Sequence, residues 1–219
     1  MYPSRLFRIF LLLCIAVLAA CDIEVKTVLA VSDLRAQQDK GIAGTIVLEV
    51  PSCTDFEDSR KPSDALLESV AIVERIFPDA QYKECYRKQM SAYAEFAVIL
   101  NLSFDDEQID SERINLISGE TILLGIYLPR EILARLAQAE ERNFGLSFDF
   151  SFEITLDNDS QEDFDFMALG VFADSEPALF RSLSLRGGER LILKPSDVTI
   201  AEIMDEQLAP LLLQVNKAL

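Results

Sequence analysis

Residues Leu146–Asp157 read LSFDFSFEITLD. Leu146, Phe148, Phe150, Phe152, Ile154 and Leu156 alternate without a break with Ser147, Asp149, Ser151, Glu153, Thr155 and Asp157. A period of two sends successive side chains to opposite faces, so this stretch is a strand with one dry face and one wet face. Such alternation marks antiparallel sheet, because strands of parallel sheets are covered on both sides and read as continuous apolar runs. The stripe Phe148, Phe150, Phe152 could line a ligand groove, but packing in a core is the commoner use.

Working toward the C-terminus, Asn158–Glu162 turns into Phe164–Ala173. Ala178–Leu185 and Arg190–Leu193 then form a hairpin around Gly187-Gly188. Residues 144–193 therefore read as meandering hairpins, half of a sandwich. Ser196 caps a last helix running to about Leu208, and Pro210 precedes a short apolar tail.

Toward the N-terminus, Pro129 opens a helix whose buried stripe is Ile132, Leu133 and Leu136. Ile114–Ile117 and Thr121–Tyr127 make a hairpin around Ser118-Gly119, and Gln81–Arg87 and Ala92–Phe104 are extended. Ser63 caps a helix over 64–77, with Leu66, Val70, Val73 and Phe77 at helical spacing and Pro78-Asp79 as its stop. Pro51–Lys61 is a polar loop, Thr45–Val50 and Ile23–Ala30 are strands, and Ser32-Asp33-Leu34 opens a short helical segment ending near Gly41. Lys-Pro-Ser-Asp occurs at 61–64 and again at 194–197. The flanks differ, so we read convergent capping rather than duplication. The fold class expected is α+β: a predominantly antiparallel β-sheet, sandwich-like in its C-terminal half, with three short helices. Residues 21–219 form a single domain, a subdivision near 143 being left open.

The chain of 219 residues is half apolar and 26% charged, the composition of a globular protein. Asp and Glu number 37 against 20 Lys and Arg, a net charge of −17. That field repels nucleic-acid phosphates and anionic lipid headgroups alike, so no nucleic acid or other polyanion is expected as a partner of the chain as a whole. The absence of histidine rules out Ser-His-Asp and Cys-His catalysis and His-ligated zinc within this chain.

Residues 1–20 read as a cleaved export signal: a short basic region with Arg5 and Arg8, then the apolar run Ile9–Ala20. The run falls short of the roughly 20 residues a bilayer-spanning helix needs. It ends Leu18-Ala19-Ala20-Cys21, which resembles the lipobox of bacterial lipoproteins. That resemblance implies diacylglycerol in thioether linkage on Cys21, cleavage before it and acylation of the new amino terminus, hence a membrane partner through the lipid anchor. Asp22 at the next position implies, by the sorting rule of enteric-type bacteria, a periplasm-facing place on the inner membrane rather than the outer. No Gly/Ser/Pro tether separates Cys21 from the first strand, so the domain should sit close to its membrane. Cys14 leaves with the signal and Cys21 carries lipid; Cys53 and Cys85 remain, an even pair in an oxidising compartment. A bridge between them closes a loop of about 33 residues, worth about 3–4 kcal/mol by chain entropy.

Catalytic signatures are missing: no dinucleotide fingerprint, phosphate loop, nucleophile elbow or zinc-protease motif occurs. Asp149 and Glu153 lie about 13 Å apart along their strand, too far for a glycosidase pair. Asp163 and Asp165 alternate with Phe164 and Phe166 as solvent-facing residues do. The acidic loops Asp105-Asp106-Glu107 with Asp110, and Asp157, Asp159, Glu162 and Asp163, lack the glycine and glutamate positions of an EF-hand. Neither a catalytic residue, a metal nor a cofactor is assigned.

Five segments carry a wider likeness: CDIEVKTV with SDL (21–34), VPSCTDFEDSRKP (50–62), FPDAQYKECY (77–86) and LKPSDV (193–198), together with the lipobox. With these the chain resembles a group of uncharacterised small lipoproteins of phages, prophages and their bacterial hosts. The group implies no activity. We therefore expect a non-enzymatic envelope lipoprotein that meets an envelope protein partner, prophage-encoded and modifying its host's envelope. A β-rich module for a small molecule or glycan is the alternative.

Overall fold

Period-two sequence builds most of the chain: of the residues described by the computed structural model, 20–104, 108–142 and 147–215, 51% lie in strands. The order is β1 (Ala20–Ala30), α1 (Val31–Ala36), β2 (Lys40–Val50), α2 (Asp64–Ile76), β3 (Gln81–Lys88), β4 (Ser91–Ser103), β5 (Asn115–Ile117) and β6 (Ile122–Tyr127). There follow α3 (Arg130–Arg142), β7 (Ser147–Asp157), β8 (Phe164–Ala173), β9 (Glu176–Leu185), β10 (Arg190–Pro195), α4 (Asp197–Glu206) and β11 (Leu208–Gln214).

The strands join laterally as β10-β7-β1-β2-β4-β5-β6-β11-β8, and β8 pairs back onto β10, closing a nine-stranded barrel. β3 and β9 hang outside this ring, on β4 and β8. Both host strands share one edge between two partners. β4 pairs with β3 over Ser91–Ala97 and with β5 over Asn101–Ser103. β8 pairs with β11 over Phe166–Ala168 and with β10 over Val171–Ala173. Gly170 stands between those two contacts at φ +56°, and across it the buried set changes from Phe164, Phe166 and Ala168 to Val171 and Ala173. A β-carbon at Gly170 would collide with Thr199 Oγ1.

The lumen is filled. Ile23, Val25 and Leu29 of β1 meet Phe96, Leu100 and Leu102 of β4, Phe152, Ile154 and Leu156 of β7, and Phe166 of β8 in one buried cluster. Gly44 lies in β2 because any side chain there would overlap Leu100. Helix α2 buries Leu66, Ile72, Val73 and Ile76, and α3 buries Ile132, Leu136 and Ala139; the two helices pack together. The repeated Lys-Pro-Ser-Asp serves as capping both times: Ser63 Oγ accepts from Leu66 N at 3.1 Å and Ser196 Oγ from Thr199 N at 3.3 Å.

Several expectations are corrected. The molecule is mostly β, a closed barrel with four helices among the described residues, and not an α+β sandwich with three. Alternation along a strand reports one wet and one dry face, which sandwich and barrel share; only lateral pairing separates them. Strand β7 lies antiparallel to β10 but parallel to β1, from Ala20 opposite Ser147 to Ala30 opposite Asp157. The outer faces of this parallel pair stay wet, with Asp22, Glu24 and Lys26 of β1 and Asp149, Ser151 and Glu153 of β7 all at least partly exposed. The last helix stops at Glu206, where Gln207 turns the chain at φ +71°, and the apolar tail becomes barrel strand β11.

Gly170→Ala should lose on the order of 1–3 kcal/mol in urea unfolding. Gly119→Ala, where nothing lies within 4 Å of the added carbon, should stay within about 0.5 kcal/mol of the parent.

Candidate functional site

Alternation sends Glu24 and Lys26 to the outer face of β1 and Glu153 to that of β7, and register sets Lys26 opposite Glu153. Lys194 of β10 completes the group. Its Nζ lies 2.7 Å from Glu153 and 3.7 Å from Glu24, while Lys26 Nζ lies 2.8 Å from Glu24 and 3.9 Å from Glu153. Two acids and two bases alternate in this group, and the positive charge of Lys88 also reaches Glu153. The hydrogen bond from Lys194 holds the Glu153 carboxyl below the usual range, and the same bond raises Lys194.

Nearer the start of β1 the balance fails. Asp22 stands opposite Asp149. Partial removal from water, then the charges of Glu24, Asp149 and Glu49, push its carboxyl up. Asp22, the residue implied for sorting, thus lies in an uncompensated acidic strip. The backbone of Cys21, the implied lipid site, belongs to β1 opposite Phe148. Residues 1–19, within the segment expected to be an export signal, lie outside the described residues.

Cys53 and Cys85 are joined, with Cα atoms 5.5 Å apart. The bond stitches the loop after β2 to β3, and the loop closes on itself through a Thr54–Pro62 bridge and through Asp55, whose carboxylate accepts from Glu57 N and Asp58 N. Phe56 at its tip and Met90 in the β3–β4 turn are 103% and 102% exposed, the most exposed large apolar side chains among the described residues. Tyr86 and Tyr93 stack next to that turn, centroids 5.7 Å apart.

The other carboxylate candidates do not converge. Asp157 pairs with Arg190 at 2.7 Å, Asp159 accepts from Ser32 N at 2.9 Å, and Glu162 lies 3.6 Å from Arg35. Asp110 lies 3.6 Å from Arg113, and Asp105, Asp106 and Glu107 fall outside the described residues. Asp165 projects from the wet face of β8 opposite Ser184. No group of three or more potential metal ligands exists among the described residues. Phe148, Phe150 and Phe152 are core residues, with Phe150 6.4 Å from Phe77 and 6.3 Å from Phe152. A hollow of about 590 Å³ forms a notch between the first half of β7 and α4, where Asp22, Asp149 and Asp197 face Ile200 and Met204.

Sequence reading missed the four-membered ion group and both exposed apolar tips. Alternation does place Glu24, Lys26 and Glu153 on wet faces, but Lys194 comes to them only through lateral pairing. Met90 could have been flagged by its setting, an apolar residue directly after Arg87-Lys88-Gln89.

These features define a closed β-barrel with a packed lumen, a charged outer wall and one rim sewn by a disulfide. The chain belongs to the DUF7424 family, a domain of unknown function whose profile matches residues 23–217. Membership of an uncharacterised family agrees with the expectation from its motifs. No curated protein and no solved structure matches the chain.

Two sets of variants test the wall. The folded Glu153 carboxyl titrates below its unfolded value, so its contribution is present above the unfolded pKa and is lost as pH falls through the folded one. Asp22 has the opposite sign: its ionised form subtracts stability above its raised folded pKa, and the penalty fades below the unfolded one. Urea unfolding at pH 7 should therefore show Glu153→Gln less stable and Asp22→Asn more stable, both differences shrinking toward pH 3. A Glu153→Gln/Lys194→Met cycle should couple by about 0.5–1 kcal/mol. Separately, Cys53→Ser/Cys85→Ser should lose about 3–4 kcal/mol.

Proposed function

We propose that this chain is a lipid-anchored protein of the bacterial envelope, held at the periplasmic face of the inner membrane, whose barrel is a non-enzymatic interaction module for an envelope protein. The observation that carries the reading is the junction at Cys21. A basic stretch, an apolar run and Leu-Ala-Ala-Cys lead without any spacer into β1, so an anchor at Cys21 keeps the barrel wall at the bilayer. The packed lumen supports an interaction role as well, since the charged and apolar side chains available for recognition then lie on the outer wall, rims and loops. A prophage origin and a role in altering the host envelope follow from the sequence resemblance alone. The notch between β7 and α4 is what favours the alternative, a small-molecule or glycan module.

The mature chain from its host should begin at Cys21 and carry the mass of a diacylglyceryl group and one acyl chain. In-cell crosslinking should capture a defined envelope protein with the parent and lose it with Cys21→Ala. Equal capture by both forms would overturn the interaction reading. A ligand that raises the melting temperature, blunted by Met204→Glu in the notch, would favour the alternative.

A further inference from the structure

Lateral register carries a row of residues around the wall from Cys21. The β1–β2 pairing, with Ile23 opposite Leu48, brings Val50 level with Cys21. Val50 pairs with Ala92, and Ala92 with Arg87. Arg87 is therefore level with Cys21 three strands away, about 14 Å at the usual strand spacing. Lys88 pairs with Ser91 one step further out, and Gln89, at φ +57°, turns the chain through Met90 at the extreme of the rim. The loop carrying Phe56 leaves β2 on this rim and is held to β3 by the Cys53–Cys85 bond; Arg87 also lies within 3.5 Å of Ser52 at the loop's base.

The two most exposed apolar side chains thus stand on two connected loops at the rim from which the anchor leaves, while most large apolar residues are buried. Beside them are two cations, Arg87 and Lys88, in a chain of net charge −17, and the stacked tyrosines, whose apolar rings and polar tips suit a lipid–water boundary. The Met90 tip follows Arg87 and Lys88, whereas Phe56 stands between Asp55 and Glu57 with Asp58, Arg60 and Lys61 next along its loop, so the attraction to a headgroup layer comes from the β3–β4 tip and Phe56 adds apolar contact alone. Across the same rim Asp22 and Asp149 are acidic, so an anionic bilayer attracts one side and repels the other.

We propose that the rim formed by Phe56, Met90, Arg87 and Lys88 is a bilayer-contact surface that rests on anionic phospholipid headgroups beside the Cys21 anchor and tilts the barrel toward its β3–β4 side. This rests on the anchored reading above. Anchor and rim then form two points of attachment, and two points fix an orientation that a lipid alone leaves free.

The test uses the full chain, purified in its lipidated form and reconstituted in phosphatidylethanolamine/phosphatidylglycerol vesicles. Met90→Cys and Phe56→Cys each carry an environment-sensitive dye. Glu120→Cys is the control at the far rim, in the turn after Ile117, which pairs with Ser103. Emission at 90 and 56 should shift to the blue and be quenched by headgroup spin-labelled lipid, while 120 stays in water. Arg87→Glu/Lys88→Glu, or phosphatidylcholine vesicles, should reverse most of the shift at 90. A lipidated chain in which 90 and 56 are as wet as 120 overturns the rim contact and leaves the anchor standing. A mature chain without the lipid mass overturns both. A blue shift that grows with protein concentration in the absence of vesicles assigns the tips to a second copy and overturns the membrane contact.

Discussion

Nine strands make a barrel only if the two ends of the sheet meet, and here they meet over three residues of β8. Val171, Phe172 and Ala173 pair with Pro195, Lys194 and Leu193 of β10. The contact is possible because β8 changes partner at Gly170, whose left-handed backbone turns the inward face from one residue parity to the other. The carbonyl of the same residue accepts from Ser196 N at 2.8 Å and Thr199 Oγ1 at 2.7 Å. Closure of the barrel and the start of α4 are thus one structural event. Without it both β8 and β10 would present unpaired edges, which invite association with other chains.

Closure also governs where recognition can occur. The ring of nine strands encloses one buried cluster of Phe, Leu, Ile and Val side chains, and hollows such as the notch between β7 and α4 open on its outer wall and rims. The outer wall is uneven. Glu24, Lys26, Glu153 and Lys194 neutralise one another, whereas the strip at Asp22 and Asp149 is left negative and the β3–β4 tip is positive. Exposed ion pairs of this kind contribute little to folding free energy. Their effect is to shape the electrostatic field around the outer wall.

The local elements were largely legible. Leu146–Asp157 and Ala92–Phe104 announce strands by alternation, Ser63 and Pro129 announce helices by capping chemistry, and two unassigned cysteines leave one pair to bond. The expected hairpin of Ala178–Leu185 with Arg190–Leu193 does not form, because β9 pairs with β8 while β10 pairs with β7 and β8. Two further elements were misjudged for identifiable reasons. Strand β2 begins at Lys40 instead of Thr45, because Gly41 and Gly44 lower its strand signal and Gly44 is there to make room for Leu100. The tail Leu208–Gln214 carries Pro210, which argues against a central strand, yet it pairs with both β6 and β8; the register slips between Pro210 and Leu212, a bulge that absorbs the missing donor.

By itself the amino-acid order determined what depends on neighbours a few residues away: which faces are wet, where helices start, the charge, the absence of histidine chemistry, and an apolar run ending in Leu-Ala-Ala-Cys. Only tertiary structure decided that nine of the strands close into a barrel, that β7 runs parallel to β1, that Lys194 reaches Glu153, and that Phe56 and Met90 share the rim of Cys21. The physical reason is that a strand's period sets which way each side chain points but not which strand lies beside it. Lateral pairing is chosen by how the whole apolar set fills one lumen, a property of the complete chain that no single segment contains.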